Sequence, residues 1–187
     1  MSDLKLQLHS RLSTSRANGP GLRSVIWVQG CTLACPDCFN PSTHDINDEV
    51  ETVSVQELLD WVISNGVDGL TISGGEPFQQ SEGVLELSRL VRLAGLNVVI
   101  LTGFTQSQVQ SRFSHDVLTS SVDVVIAGPY VATRHLAHAL RGSSNKEYLM
   151  FSDVYEKSDF DELPESEIVI NLEGTIVVTG INVPVLK

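Results

Sequence analysis

Disulfide bonding is the first thing this chain lacks the means for. Its three cysteines cannot pair off, and a dense thiol framework of the secreted-minidomain kind is missing. Basic residues are scarce as well. Twelve Lys and Arg against 23 Asp and Glu leave a net charge of −11, the wrong sign for a surface that must neutralise phosphates, so a nucleic-acid partner is not expected. Long apolar runs are missing too: stretches such as "VVIL" at 98–101 are strand-sized and far short of a membrane span. The opening "MSDLKLQLHSRL" carries no apolar signal-peptide core. There is neither an internal repeat nor a low-complexity tract. What remains is a chain of 187 residues, 42% hydrophobic, enough for one domain over 1–187 with a sizeable core. The expectation is an acidic cytoplasmic protein that does not associate with membranes.

Periodicity orders the chain. "LKLQLHS" alternates Leu4, Leu6 and Leu8 with polar residues, as a half-buried strand does. After the glycine-rich loop "TSRANGPG", the run "LRSVIWVQG" predicts a strand leading straight into the cysteines. "SVQELLDWVISNG" reads as a helix with a capping box, Ser54 at the N-cap and Glu57 three residues on, closing at Asn65-Gly66. Strand-like runs recur at 69–75, 97–103 and 122–128. Helical patterns lie at 80–94 and at 106–114, the second opened by Thr105 and Gln108. Such alternation predicts βαβ units on a parallel sheet or barrel. "EIVINLEGTIVVTG" predicts a closing hairpin that turns at Glu173-Gly174. Segment 145–167, with eight acids against two lysines, predicts an exposed stretch, and Trp27 and Trp61 are expected in the core.

Each predicted strand ends in unusual residues: Gly30-Cys31, Ser73-Gly74-Gly75-Glu76-Pro77, Thr102-Gly103-Phe104 and Ala127-Gly128-Pro129-Tyr130. In a parallel sheet these ends gather on one face, where ligands bind. All three thiols, Cys31, Cys35 and Cys38, lie there. Two metal chemistries suit them. Zinc in a closed structural site wants four ligands, for which His44 would have to complete a Cys₃His set. An iron–sulfur cubane on three cysteines leaves one iron for an outside ligand, and one short loop can wrap three of its corners.

The spacing C-x3-C-x2-C at Cys31, Cys35 and Cys38, with "SGGEP" at 73–77 about forty residues on, resembles the radical S-adenosylmethionine superfamily. That resemblance implies an α/β fold of the incomplete TIM-barrel kind and a [4Fe-4S] cluster whose fourth iron is chelated by S-adenosylmethionine. Reductive cleavage then yields methionine and a 5′-deoxyadenosyl radical. It further implies that Ser73, Gly74, Gly75 and Glu76 form the stretch holding the cofactor's amine. Glycines let backbone carbonyls approach an ammonium group, and a carboxylate favours its charge. Asp37 and Phe39, flanking Cys38, are expected at the adenine end, with plain core packing as the other reading of Phe39. Thr102 and Ser73 end adjacent strands and are expected at the ribose or carboxylate, or else as strand-end caps.

"NGPGLRSVIWVQGCTLACPDCFNPSTHD", "LTGFT", "GPYV", "RGSSN" and the closing "TG" at 179–180 resemble the glycyl radical enzyme activases, especially those serving anaerobic ribonucleotide reductase. Asp37 stands where those activases usually carry glycine. The implied partners are a glycyl radical enzyme as protein substrate and a flavodoxin- or ferredoxin-type reductant. With no spare cysteine there is no auxiliary cluster. Two other readings share these residues: a radical enzyme acting on a small molecule or peptide, and a non-catalytic metal-binding or electron-transfer module. Arg141 has two readings, pairing with a carboxylate or sitting on the surface of a helix-ending loop. His135 and His138, three apart on an expected short helix, read as a solvated face before a metal pair.

Overall fold

The computed structural model describes residues 3–46, 50–170 and 174–182. It begins with β1 (Lys5–Ser15), where Leu6 and Leu8 face inward as the alternation requires. The register shifts between Leu8 and Ser10, a bulge that lets the strand run on past its predicted end. β2 (Arg23–Val28) pairs antiparallel with β1, and the short β3 (Glu51–Ser54) lines the other edge of β1. Helix α1 (Val55–Ser64) starts where Ser54 accepts from the Glu57 N–H at 3.2 Å, which is the Ser54 half of the expected box. Gly66, with φ +63°, closes it in the left-handed conformation that suits glycine.

Then come β4 (Gly69–Gly74), α2 (Ser81–Leu93), β5 (Asn97–Thr102), α3 (Gln106–Arg112), α4 (His115–Ser121) and β6 (Val124–Ala127). Thr105 and Gln108 form the full capping box of α3. The helical pattern at 106–114 stops early because Ser114 caps a separate helix by accepting from Val117 N. Strands β2, β4, β5 and β6 are parallel neighbours. This is the predicted parallel α/β core, consistent with a partial barrel.

Downstream, β7 (His135–His138) pairs with β8 (Arg141–Ser143), and β9 (Glu147–Met150) adds antiparallel to β6. The large sheet therefore runs β3-β1-β2-β4-β5-β6-β9. A separate closing hairpin, β10 (Ser166–Ile170) with β11 (Ile176–Gly180), matches expectation, although Glu173 of its predicted turn lies outside the described residues.

Two expectations are corrected here. His135 and His138 lie on a strand, because His135 pairs with Ser143 and His138 with Arg141 across a turn in which Ala139 and Leu140 have positive φ. The acidic segment is not simply exposed, since Leu149 on β9 is buried and Phe160 is fully buried against Val99, Val124 and Ile126.

Alternate residues of the parallel strands serve the two faces, as strands buried on both sides require. Ile26, Ile72, Ile100 and Val125 pack with Leu58, Leu87, Val109 and Leu118 from the helices. Trp61 is only partly buried but packs against this core, with Arg11 over its ring at 5.3 Å, whereas Trp27 is partly buried and lines a cavity instead of the core expected. Arg23 ties together the strand starts. Fully buried, it donates to Thr71 Oγ1, Pro20 O, Leu70 O, Asn97 O and Tyr155 Oη at 2.7–3.1 Å. All five N–H groups are met, with no carboxylate among the described residues in ion-pair contact, which keeps a buried guanidinium tolerable. The opposite ends of the same strands carry the thiols. Among the described residues, no helix is long and apolar enough to cross a membrane.

Candidate functional site

The cysteine loop leaves the end of β2 and is pinned at its base. Gly30 N donates to Thr43 O at 2.8 Å, Cys31 N to His44 O at 3.1 Å, and Gln29 Nε2 to Asp45 O at 2.7 Å. Inside the loop, Cys38 N donates to Cys35 O at 3.2 Å, closing a turn over Pro36 and Asp37. Proline presets the first central residue of such a turn, and Asp37, at φ +54°, takes the left-handed one. Glycine is the easiest residue there and aspartate is tolerated, which accounts for Asp37 in that conformation.

The loop after β4 is stitched to the same base. Gly75 N donates to Val28 O at 2.8 Å and Glu76 N to Gly30 O at 2.9 Å. A Cβ on Gly75 would lie 2.8 Å from Gly30 C, 2.9 Å from Thr43 O and closer still to Gly30 O. On Gly74, at φ +109°, it would meet the backbone of Trp27 and Val28. These glycines let two loops lie backbone against backbone.

One cavity of about 80 Å³ collects nearly all the residues singled out from the sequence: Cys31, Cys35, Cys38, Phe39, Ser73, Gly74, Gly75, Glu76 and Thr102. Asp37 is exposed and lies outside that lining. Phe39 is 57% exposed, which removes the core reading, and it meets Tyr130 edge to face at 5.4 Å. The three thiols are free and partly exposed. They surround the cavity without closing on one point: among the described residues, no three His, Cys, Asp or Glu side chains gather to hold a single metal ion. His44 supplies a backbone carbonyl to Cys31, and a ready Cys₃His site is not formed. Three free thiols spread around one cavity fit a cluster with several metal corners better than a mononuclear ion.

Glu76 is fully buried. Its Oε1 accepts from Thr102 Oγ1 at 2.6 Å and from Phe78 N at 3.0 Å, and its Oε2 accepts from Gly103 N at 2.8 Å. Three of roughly four acceptor positions are thus spent inside the chain, joining the ends of β4 and β5. Thr102 also accepts from Phe104 N at 3.0 Å, so it does act as a strand-end cap. Burial pushes the Glu76 carboxyl up from its usual range, against the pull of these donors and Lys146. Burial also pushes the Cys31 thiol up, and the nearby Glu76 carboxylate adds to that.

Sequence reasoning missed Lys146, which lines the same cavity. Its ammonium donates to Thr102 O at 3.0 Å and to Gly128 O at 2.6 Å. Desolvation brings its pKa down to about 8, opposed by Glu76, Cys35 and Cys38. The residue follows "RGSSN" directly, but only the β6–β9 pairing carries it to the thiols. Tyr130 and Ile181 join the lining too. Arg141 opens β8, half-buried, with its guanidinium 5.3 Å over the Tyr148 ring and its Nε buried without a partner. His138 lies 3.6 Å from Asp161, and His135 Nδ1 lies 3.3 Å from Tyr130 Oη. An adjoining cavity of about 450 Å³, lined by Trp27, His9 and Val177–Asn182, shares Phe39, Asn40 and Ile181 with the first.

A family model described as "4Fe-4S single cluster domain" matches residues 17–149. The pyruvate formate-lyase-activating enzyme of Staphylococcus epidermidis is 36% identical over 107 residues, covering 53% of this chain and 42% of that protein. Its Listeria monocytogenes counterpart is 34% identical over 108 residues, 54% of this chain and 42% of that one. The chain therefore spans less than half the length of these relatives. Among solved structures, QueE from Escherichia coli aligns over 55% of this chain and 54% of its own at a TM-score of 0.48 and 18% identity, too slight a likeness to carry an argument.

Proposed function

Because the chain belongs to the 4Fe-4S single cluster domain family, we propose that Cys31, Cys35 and Cys38 hold a [4Fe-4S] cluster whose fourth iron is left to S-adenosylmethionine. The reading goes on to make the protein an activase that installs a glycyl radical on a partner enzyme. One observation carries it: all three thiols of the chain line one cavity at the ends of the parallel strands, and no fourth thiol exists to close the site. A one-electron-reduced cluster held by these three cysteines would supply the reductive cleavage of S-adenosylmethionine to methionine and a 5′-deoxyadenosyl radical, which could take a hydrogen atom from a glycine Cα.

The chain's own residues bind and orient. The turn over Pro36-Asp37 sets Cys35 and Cys38 side by side, and the hydrogen bonds of Gly30 and Cys31 fix the first thiol. Ser73, Gly74 and Gly75 offer backbone carbonyls to the cofactor's amine. The buried Glu76 carboxylate serves that stretch mainly by fixing its shape and adding negative potential. Phe39 is available for the adenine end, while Asp37 contributes through the turn it makes. Leu33, Leu101 and Ile181 wall the cavity with apolar surface that excludes water.

In this reading residues 1–187 act as one radical S-adenosylmethionine domain, and a flavodoxin- or ferredoxin-type protein delivers the electron. For the client, the sequence resemblance favours an anaerobic ribonucleotide reductase. The relatives' name offers pyruvate formate-lyase. A small-molecule or peptide substrate is the second reading, favoured by the adjoining cavity of about 450 Å³.

The test is anaerobic reconstitution followed by dithionite and S-adenosylmethionine, with each candidate client added in turn. Release of 5′-deoxyadenosine together with a glycine-centred radical, seen by electron paramagnetic resonance on one client, supports the reading. Cofactor cleavage with no radical on any client moves the assignment to the small-molecule reading. A protein that binds no cluster removes both.

A further inference from the structure

Among the described residues, Lys146 is the one lysine or arginine lining the thiol cavity, and the proposed function gives it no task. Its position is over-determined. It enters beside β9, and two of its three N–H donors are committed to Thr102 O at the end of β5 and Gly128 O just past β6. A flexible four-carbon stem is thereby fixed, and the charge it carries is preorganised rather than roaming in solvent.

The charges around it come from three directions. Glu76 faces it from the loop after β4, its carboxylate already met by three donors. Cys35 and Cys38 line the same cavity from the cysteine loop. Arg141, Glu147, Lys157 and Asp161 share with it an adjoining polar cleft. Among these, the thiols are the ligands whose charge changes hands when a cluster is loaded. In a desolvated site a fixed charge acts far more strongly than in water.

We infer that Lys146 is a positioning residue that holds a positive charge beside Cys35 and Cys38 and so raises the reduction potential of the cluster they carry. The inference rests on the cluster reading made above. Reduction adds one electron to an already anionic centre, and a neighbouring cation stabilises the more negative state. Without it, the same donor delivers that electron less readily. Charge near the cluster is one of the levers a protein has on such potentials.

The experiment compares wild type, Lys146→Met, Lys146→Arg and Lys146→Gln as reconstituted proteins in redox titrations followed by electron paramagnetic resonance. Lys146→Met is expected to lower the ratio of reduced to oxidised cluster at least tenfold at a given poise, about 59 mV for one electron. Lys146→Arg should stay within threefold of wild type. Lys146→Gln keeps an N–H donor without the charge and should shift like Met, so it decides the matter if the Met variant fails to fold. A Gln or Met variant at the wild-type potential, whatever its melting temperature, overturns the inference alone. A wild type that takes up no cluster overturns it together with the cluster reading.

Discussion

Replacing Gly75 with alanine tests the packing that brings the two site loops together. The added Cβ would lie 2.8 Å from Gly30 C and 2.9 Å from Thr43 O, with Gly30 O nearer still. All three belong to backbone, so no side chain can swing aside. Restoring ordinary contacts of about 3.5 Å needs a shift of roughly 1 Å between the loop after β4 and the cysteine loop. That shift strains the hydrogen bonds Gly75 N to Val28 O and Glu76 N to Gly30 O, at 2.8 and 2.9 Å. Two bonds at about 1 kcal/mol each, with overpacking of about 1–3 kcal/mol, give an expected loss of about 3–5 kcal/mol. Gly95→Ala is the control. Its φ of +83° makes alanine awkward, but nothing lies within 4 Å, so only about 1 kcal/mol of backbone strain is expected. Urea unfolding of the metal-free proteins, followed by circular dichroism, reads both losses, and iron content after reconstitution reads the loop geometry. Equal unfolding midpoints for the two variants, with full iron in Gly75→Ala, would refute the reasoning.

Glu76→Gln puts an amide donor where the carboxylate now accepts from Thr102, Phe78 and Gly103, so an unfolding measurement should show a loss of about 1–3 kcal/mol. Burial pushes the Tyr148 phenol up to about 12, while an unfolded tyrosine ionises near 10. The folded state is then the tighter proton binder, so this contribution to stability is whole below pH 10 and is lost as pH rises through 12. Absorbance titration should show a phenol fraction that ionises near pH 12 and that Tyr148→Phe removes; a Tyr148→Phe protein that keeps that late fraction would contradict this. Cys35→Ala should abolish cluster assembly and cofactor cleavage yet leave the unfolding free energy within about 0.5 kcal/mol, because the residue lies in a loop and is partly exposed. Retained iron in that variant would remove Cys35 from the ligand set.

What the sequence made legible was local. The alternation of Leu6 and Leu8, the caps at Ser54 and Thr105, and the glycines at strand ends each act within a few residues. The parallel order of β2, β4, β5 and β6 followed from their spacing along the chain. What escaped depends on distant pairing. β9 reads as part of an acidic stretch, yet Leu149 and Tyr148 pair with Val125 and Ile126 and carry Lys146 to the thiols. His135 and His138 have helical spacing, but Arg141–Ser143 captures them as a strand through a positive-φ turn at Ala139-Leu140, residues with no propensity for that conformation. Bulges in β1 likewise leave no trace in its apolar pattern. Glu76 is the subtler case: the resemblance of SGGEP implies a carboxylate near the cofactor's amine, and its hydrogen bonds to Thr102 and Gly103, which join the ends of β4 and β5, had no signal in the sequence.

The most direct measurement of the central claim is the electron paramagnetic resonance spectrum of the anaerobically reconstituted, dithionite-reduced protein before and after S-adenosylmethionine is added, taken with iron and sulfide analysis. Four irons and four sulfides per chain are expected, as the family description has it, with a signal that changes when S-adenosylmethionine is added. A colourless protein holding zinc, or a cluster signal indifferent to S-adenosylmethionine, would contradict that claim.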